Sequence, residues 1–205
     1  MEIESLNKQQ KKAVEKVGGP MLVFAGAGSG KTRVLTCKIA YLIESVGLPP
    51  ENILAVTFTN KAAQEMKSRV FDLVNSELDG ITIGTFHSIG AMILRREIHL
   101  IDYENNFVIY DSADSKALIK KSIKELNLDI KLYDPRSMQA KISAAKNLLQ
   151  KPDDVLNLSN EREFIKKNFV DVYRMYQKKL KENNALDFDD LLVLPLEIFN
   201  DNNNR

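Results

Sequence analysis

The stretch that most constrains the fold is Met21–Leu35, "MLVFAGAGSGKTRVL": an apolar run, a turn of glycine and small residues, then Lys31, Thr32 and Arg33 opening a helical pattern. Strand, glycine-rich turn and helix in that order aim backbone N–H groups and the positive end of a helix dipole at one point, which makes an anion nest. Gly28 and Gly30 permit positive φ and a close backbone approach. Ala25 stands where the phosphate-loop pattern has its outermost glycine, so the nest from Gly26 to Thr32 survives. The dinucleotide fingerprint is not met, because Gly26, Gly28 and Gly30 are followed at once by Lys31. On this reading Ala25, Gly26, Ala27, Gly28, Ser29 and Gly30 cradle nucleotide phosphates. Lys31 reaches the β and γ phosphates and the Thr32 hydroxyl coordinates Mg²⁺. Lys31 and Thr32 are thus the candidate catalytic residues.

Two further β-branched runs, "ILAVTF" (53–58) and "ITIGTF" (81–86), join "MLVFA" (21–25) as expected buried strands. Between them, 31–46 carries Val34, Leu35, Ile39, Leu42 and Ile43 on one helical face. Residues 60–74 carry Ala62, Ala63, Met66, Val70 and Val74, with Thr59 or Asn60 placed as a cap. Alternating strands and helices predict a parallel sheet, an α/β layer fold.

After Gly90 the pattern changes to amphipathic helices at 112–127, 135–150 and 160–182, the last with Ile165, Phe169, Tyr173, Tyr176 and Leu180 at helical spacing. "NFVIYD" (106–111) reads as a short extended connector. "LLVLPLE", ending at Glu197, cannot be a central strand, since Pro195 has no N–H for a ladder. Asp187, Asp189 and Asp190 precede an apolar run, where capping is the expected role.

A formal charge of +1 says little about partners, but 112–182 holds 16 Lys and Arg against 10 Asp and Glu, a local excess that suits a polyanion or simply a solvated lysine face. The single Cys37 excludes a disulfide framework and a cysteine-based metal site. His99 has no partner at ligand spacing and reads as structural. Lys61, Lys67, Arg95 and Arg96 read as solvated helix faces. No apolar run approaches the roughly 20 residues of a membrane span, and the polar N-terminus lacks signal-peptide character. The expectation is a cytoplasmic protein without a membrane partner.

Several blocks together resemble one family, the superfamily 1 DNA helicases of the UvrD, PcrA and Rep type. "LNKQQKKAV" (6–14) resembles its adenine-reading Q motif and "AGAGSGKT" (25–32) its motif I, alanine included. "AVTFTNKAAQEMKSRV" (55–70) resembles motif Ia, "GTFHSIGAMILRR" (84–96) motif Ib, and "NALDFDDLL" (184–192) the segment before motif II. The resemblance implies a RecA-like P-loop NTPase sheet, incomplete here, with an inserted all-helical subdomain: domain 1A at 1–90 plus 184–205, domain 1B at 91–183. It implies that Gln10 bonds the adenine edge and Arg33 packs on or bonds to the base. It also implies that Phe58, Thr59, Asn60, Thr85, Phe86 and His87 line a single-stranded DNA path, at the carboxyl ends of parallel strands. The implied cofactors are ATP and Mg²⁺. The implied partners are single-stranded DNA, a single-strand/duplex junction and the remaining helicase domains.

No strand in the sequence ends in the acidic pair that such a motor needs to hold Mg²⁺ and orient water. The expectation is an N-terminal portion of a 3′ to 5′ helicase that binds nucleotide and does not hydrolyse it alone. Two other classes stay open: another P-loop enzyme, such as a small-molecule kinase, and a helical region acting mainly as a protein or duplex-DNA docking module.

Overall fold

The structure is a computed structural model that describes residues 2–74, 78–158 and 163–201. Packing divides it into two compact units, Met1–Ile89 and Gly90–Arg205.

The first unit contains α1 (Lys8–Glu15), α2 (Lys31–Glu44), β1 (Leu54–Thr57), α3 (Asn60–Leu73) and β2 (Thr82–Thr85), and it runs into α4 (Phe86–Glu97). β1 and β2 pair in parallel, with Leu54 opposite Thr82 and Thr57 opposite Thr85. A parallel pair needs a crossover, and α3 supplies it. Thr59 caps that helix, its hydroxyl accepting from the Ala62 N–H at 3.2 Å. Ile39 and Ile43 of α2 and Met66 and Val70 of α3 close one core with Ile53 and Ala55. Leu35, expected on the buried face of α2, is instead exposed.

The expected strand at 21–25 does not form. Met21–Ala25 has no ladder partner among the described residues. Leu22 is 77% and Phe24 89% exposed. An apolar run becomes a strand only when neighbouring chains accept its N–H and C=O groups, and here β1 and β2 pair only with each other.

The second unit continues α4 through a 3₁₀ turn at Ile98–Ile101 into β3 (Val108–Ile109), α5 (Ser112–Glu125), α6 (Pro135–Asn147), α7 (Pro152–Leu158), α8 (Glu163–Glu182), β4 (Ala185–Leu186) and α9 (Asp190–Asp201). Asp111 caps α5 in a reciprocal box with Asp114, and Asp134 caps α6, whose first residue is Pro135. Ile119, Ile123, Ile142, Val172, Tyr176 and Leu180 form its larger core. Residues 159–162 and the side chain of Ile165, assigned above to the helix now called α8, fall outside the described residues.

One sequence expectation changes in this unit. "NFVIYD" is more than a connector: Val108 and Ile109 pair in parallel with Ala185 and Leu186, so the region is not wholly helical. Residues 184–201 belong to this compact unit.

α9 contains Pro195, as the sequence argument against a strand requires. Proline cannot donate to the carbonyl four residues back, which frees Leu191 C=O. That carbonyl is what Gly90 of α4 packs against: a Cβ at Gly90 would lie 2.0 Å from the Leu191 oxygen. The two helices therefore approach at a point where one has no side chain and the other no internal hydrogen bond.

Candidate nucleotide and nucleic-acid site

The glycine-rich turn has the backbone its sequence demands. Gly28 (φ +74) and Gly30 (φ +83) sit in the left-handed region, and α2 starts at Lys31. The Ser29 hydroxyl donates to Gly26 C=O at 2.7 Å and closes the turn. The Lys31 ammonium donates to the carbonyls of Gly26 (2.7 Å) and Ala25 (3.1 Å), so it lies over the loop's own backbone. The loop from Gly26 to Ser29, with Lys31 and Thr32, is exposed.

Gln10 reaches this loop from α1. Asn7 caps α1, accepting from the N–H groups of Gln9 (3.0 Å) and Gln10 (2.9 Å), while Gln10 Oε1 accepts the Asn7 N–H at 3.0 Å. This is a capping box, and Asn-x-x-Gln in "NKQQ" was its sequence signature. The box fixes the amide so that Gln10 Nε2 donates to the Ser29 carbonyl at 3.0 Å. A Cβ at Gly30 would stand 3.0 Å from that nitrogen, so glycine there serves the approach as well as the φ angle. Arg33 donates to the Ser5 hydroxyl. Gln10, Arg33 and the residues from Ala25 to Thr32 are therefore assembled in one region by α1, the turn and the first turn of α2.

A second lysine acts at the far end of α1. Lys38 of α2 donates to the carbonyls of Lys16 (2.6 Å), Ala13 (3.2 Å) and Val14 (3.4 Å). Burial and the nearby Lys16 charge hold its pKa below the ordinary lysine value. Sequence reasoning missed it, because a lysine between two apolar helix positions looks like any solvated one.

The six expected DNA-lining residues divide by role. Phe58 and Phe86 follow β1 and β2, are 91% and 55% exposed, and face each other at 6.4 Å between ring centroids, tilted by 54°. Thr59 caps α3. Thr85 is buried: its N–H donates to Ser88 Oγ at 2.8 Å, its Oγ1 accepts the Ser88 N–H at 3.1 Å, and it also lies 3.5 Å from Asn60 Oδ1. Thr85 and Asn60 thus tie the two strand ends together beneath the aromatic pair. Ser88, missed in the sequence, completes this arrangement. His87 is half-buried at the start of α4.

Among the described residues no group of three or more His, Cys, Asp and Glu is arranged to hold a metal ion, and no helix is long and apolar enough to cross a membrane.

In the second unit, Lys146 of α6 is buried with its ammonium 2.7 Å from both Asp187 Oδ2 and Asp190 Oδ1. The two aspartates also cap α9 reciprocally, each accepting the other's N–H at 3.0 Å. Tyr176 donates to Asp187 at 2.9 Å. Burial pushes Asp187 up, but Lys146 and these hydrogen bonds outweigh it and hold the carboxyl below its ordinary value. Asp190 is driven up to about 6 by complete burial, with Asp187 adding to that push and Lys146 opposing it. Arg95, read from sequence as solvated, stacks over Phe107 at 3.7 Å and donates to Asn105 C=O at 2.8 Å.

Comparison with known proteins adds the decisive observation: residues 6–205 match the model of the UvrD/REP helicase N-terminal domain. The chain belongs to that family. It is 48% identical over 197 residues to the ATP-dependent DNA helicase PcrA of Bacillus subtilis, covering 96% of this chain and 26% of that protein. The PcrA proteins of Staphylococcus epidermidis and Staphylococcus aureus are 46% and 44% identical over the same share, with 27% of each covered. The chain spans about a quarter of the length of these helicase relatives. Within the UvrD/REP family framework, the mixed α/β architecture with small parallel sheets is that of a helicase N-terminal domain.

Proposed function

We propose that this chain is the ATP-binding N-terminal portion of an ATP-dependent DNA helicase that moves 3′ to 5′ along single-stranded DNA and opens duplex at a junction. The observation that carries the reading is the turn from Gly26 to Gly30, which brings Lys31 over the loop at the N-terminus of α2 with Gln10 beside it. Its fit to ATP is physical: exposed loop N–H groups, a helix N-terminus and an ammonium that can exchange carbonyl partners for phosphate oxygens. Lys31 would hold the β and γ phosphates, Thr32 a Mg²⁺ ion, and Gln10 and Arg33 the base. Bound Mg²⁺ supplies charge neutralisation on the phosphates. Residues 1–90 and 184–205 are read as domain 1A, a RecA-like domain, and 91–183 as domain 1B. The site is proposed to work in the cytoplasm.

Phe58 and Phe86 present two exposed ring faces at the ends of parallel strands, a surface on which bases can stack without regard to sequence. Thr59, Asn60, Thr85 and His87 frame it, in part by holding the strand ends.

Turnover by these 205 residues alone is not expected. Asp187 and Asp190, which follow β4, are committed to Lys146 in the second unit and act as a structural pair. The test is calorimetric titration of the chain with ATP and Mg²⁺, beside a phosphate-release assay with single-stranded DNA. Binding lost in Lys31→Ala, with no turnover, supports the reading. Equal binding by Lys31→Ala, or DNA-stimulated hydrolysis by the chain, overturns it.

A further inference from the structure

We infer that Lys38 is a positioning residue for base selection, acting on the nucleotide site through α1 without touching it. The inference rests on the reading of Gln10 as the adenine contact.

α1 is only eight residues long and buries a single side chain of its own, Val14. Val14 lies in a small cluster with Leu6, before the helix, and Cys37 of α2, with Val34, Tyr41 and Leu73 beside it. A helix so short and so lightly packed does not hold its own position. Polar contacts at its two ends do that work. At the N-terminal end, Gln10 bonds to Ser29 of the phosphate loop. At the C-terminal end, all three protons of the Lys38 ammonium have backbone acceptors on Ala13, Val14 and Lys16.

Those carbonyls belong to the last turn of a helix, where backbone oxygens lack intrahelical partners and the helix dipole is negative. A cation is therefore the complementary group, and three acceptors fix the helix end more tightly than one. Lys38 lies seven residues after Lys31 on α2, two helical turns along, so the phosphate lysine and the clamp lysine project from similar sides of one rigid element. Because Gln10 is set by the axis of α1, and the axis by its two ends, the position of the Gln10 amide depends on Lys38 about 9 Å away along the helix.

Lysine at 38 thus governs which base is accepted, while the loop that holds the phosphates stands on its own turn contacts. Selectivity and phosphate affinity should separate. The experiment displaces a fluorescent ATP analogue from the purified chain with ATP, GTP or inorganic triphosphate, and follows hydrogen exchange of the α1 amides without nucleotide. Lys38→Met is expected to leave triphosphate competition unchanged, lower the ATP-over-GTP preference roughly three- to tenfold, the worth of about one hydrogen bond, and speed exchange in α1. Lys38→Arg, which keeps the donors, is expected to restore the ATP-over-GTP preference and the slow exchange of α1.

An unchanged ATP-over-GTP ratio in Lys38→Met, while Gln10→Ala abolishes it, overturns the role of Lys38 and leaves the Gln10 reading standing. A wild-type chain without ATP preference, or Gln10→Ala that retains it, sinks the Gln10 reading and this inference with it. If Lys38→Met fails to fold by circular dichroism, Lys38→Gln, with fewer donors, must show an intermediate ratio; a full wild-type ratio in that variant overturns the inference.

Discussion

Lys146 and Asp190 meet 2.7 Å apart in the interior of the second unit, with the lysine side chain 2% and the aspartate 3% exposed. Asp187 shares the same ammonium, so one buried cation serves two buried carboxyls. Removing the lysine leaves two buried carboxyls with no counter-charge, held only by the Tyr176 hydroxyl and backbone N–H groups. Lys146→Met is therefore expected to destabilise the chain by about 3 to 5 kcal/mol, measured as a shift in urea midpoint at constant slope. A loss under about 1 kcal/mol, the range of an exposed pair, would show that the cluster is open to water.

The surplus carboxyl gives a second expectation, in pH. With Asp190 raised to about 6 against 3.8 for an ordinary aspartate, the folded chain binds a proton that the unfolded chain releases between those values. This group's contribution to stability therefore falls as pH rises from about 3.8 to about 6. Asp187, held below 3.8, works the other way: its contribution is present above 3.8 and is lost as pH falls through its lower folded value. Asp190→Asn keeps an acceptor for Lys146 and removes the titration. Its stability should lack the downward slope expected of the wild-type chain between about pH 4 and 6, and an identical profile in both proteins would place the titrating group elsewhere.

How much of this was legible in the sequence depends on how far apart the cooperating residues lie. The turn at Gly26–Gly30 and its lysine are a local pattern, and the structure shows the φ angles that the glycines were expected to supply. The helix starts at Thr59 and Lys31 are local as well. Lys146 is 41 residues from Asp187, and nothing in "AAKNLL" distinguishes it from the exposed lysines around it. Met21–Ala25 fails for the opposite reason: the run has every local mark of a strand, but a strand is made by neighbours, and among the described residues β1 and β2 pair only with each other.

Gly90 supplies a third prediction, in which two magnitudes oppose. Alanine in a helix is favoured over glycine by about 1 kcal/mol. Against that, its Cβ would sit 2.0 Å from the Leu191 oxygen, and the obstacle is backbone that cannot rotate away. Overpacking of this kind costs about 1 to 3 kcal/mol, and an overlap this deep belongs at the upper end. Gly90→Ala is expected to lower the melting temperature. Pro195→Ala in the same background should recover part of the loss, because the Leu191 carbonyl regains a helical partner and is drawn back into the α9 ladder. No recovery would mean that the contact, and not the freed carbonyl, sets the approach of the two helices.

Phe58 and Phe86 separate folding from binding most cleanly. Phe58 is 91% exposed, so Phe58→Ala removes almost no buried area and should change stability by less than about 0.5 kcal/mol. If its ring is a stacking platform, the same change costs about 1 to 3 kcal/mol in affinity for a single strand, roughly five- to 150-fold in fluorescence anisotropy with a labelled oligothymidine. Phe86→Ala should do the same. The double variant should lose less than the sum, because two rings 6.4 Å apart would meet neighbouring bases of one strand and their effects would be coupled. Thr85→Val provides the contrast: the hydroxyl is buried in the bonds with Ser88, so this variant should lose stability first, and DNA affinity only as far as the strand ends loosen. Binding that survives both phenylalanine changes but falls in Thr85→Val would move the DNA contact from the exposed rings to the polar residues beneath them.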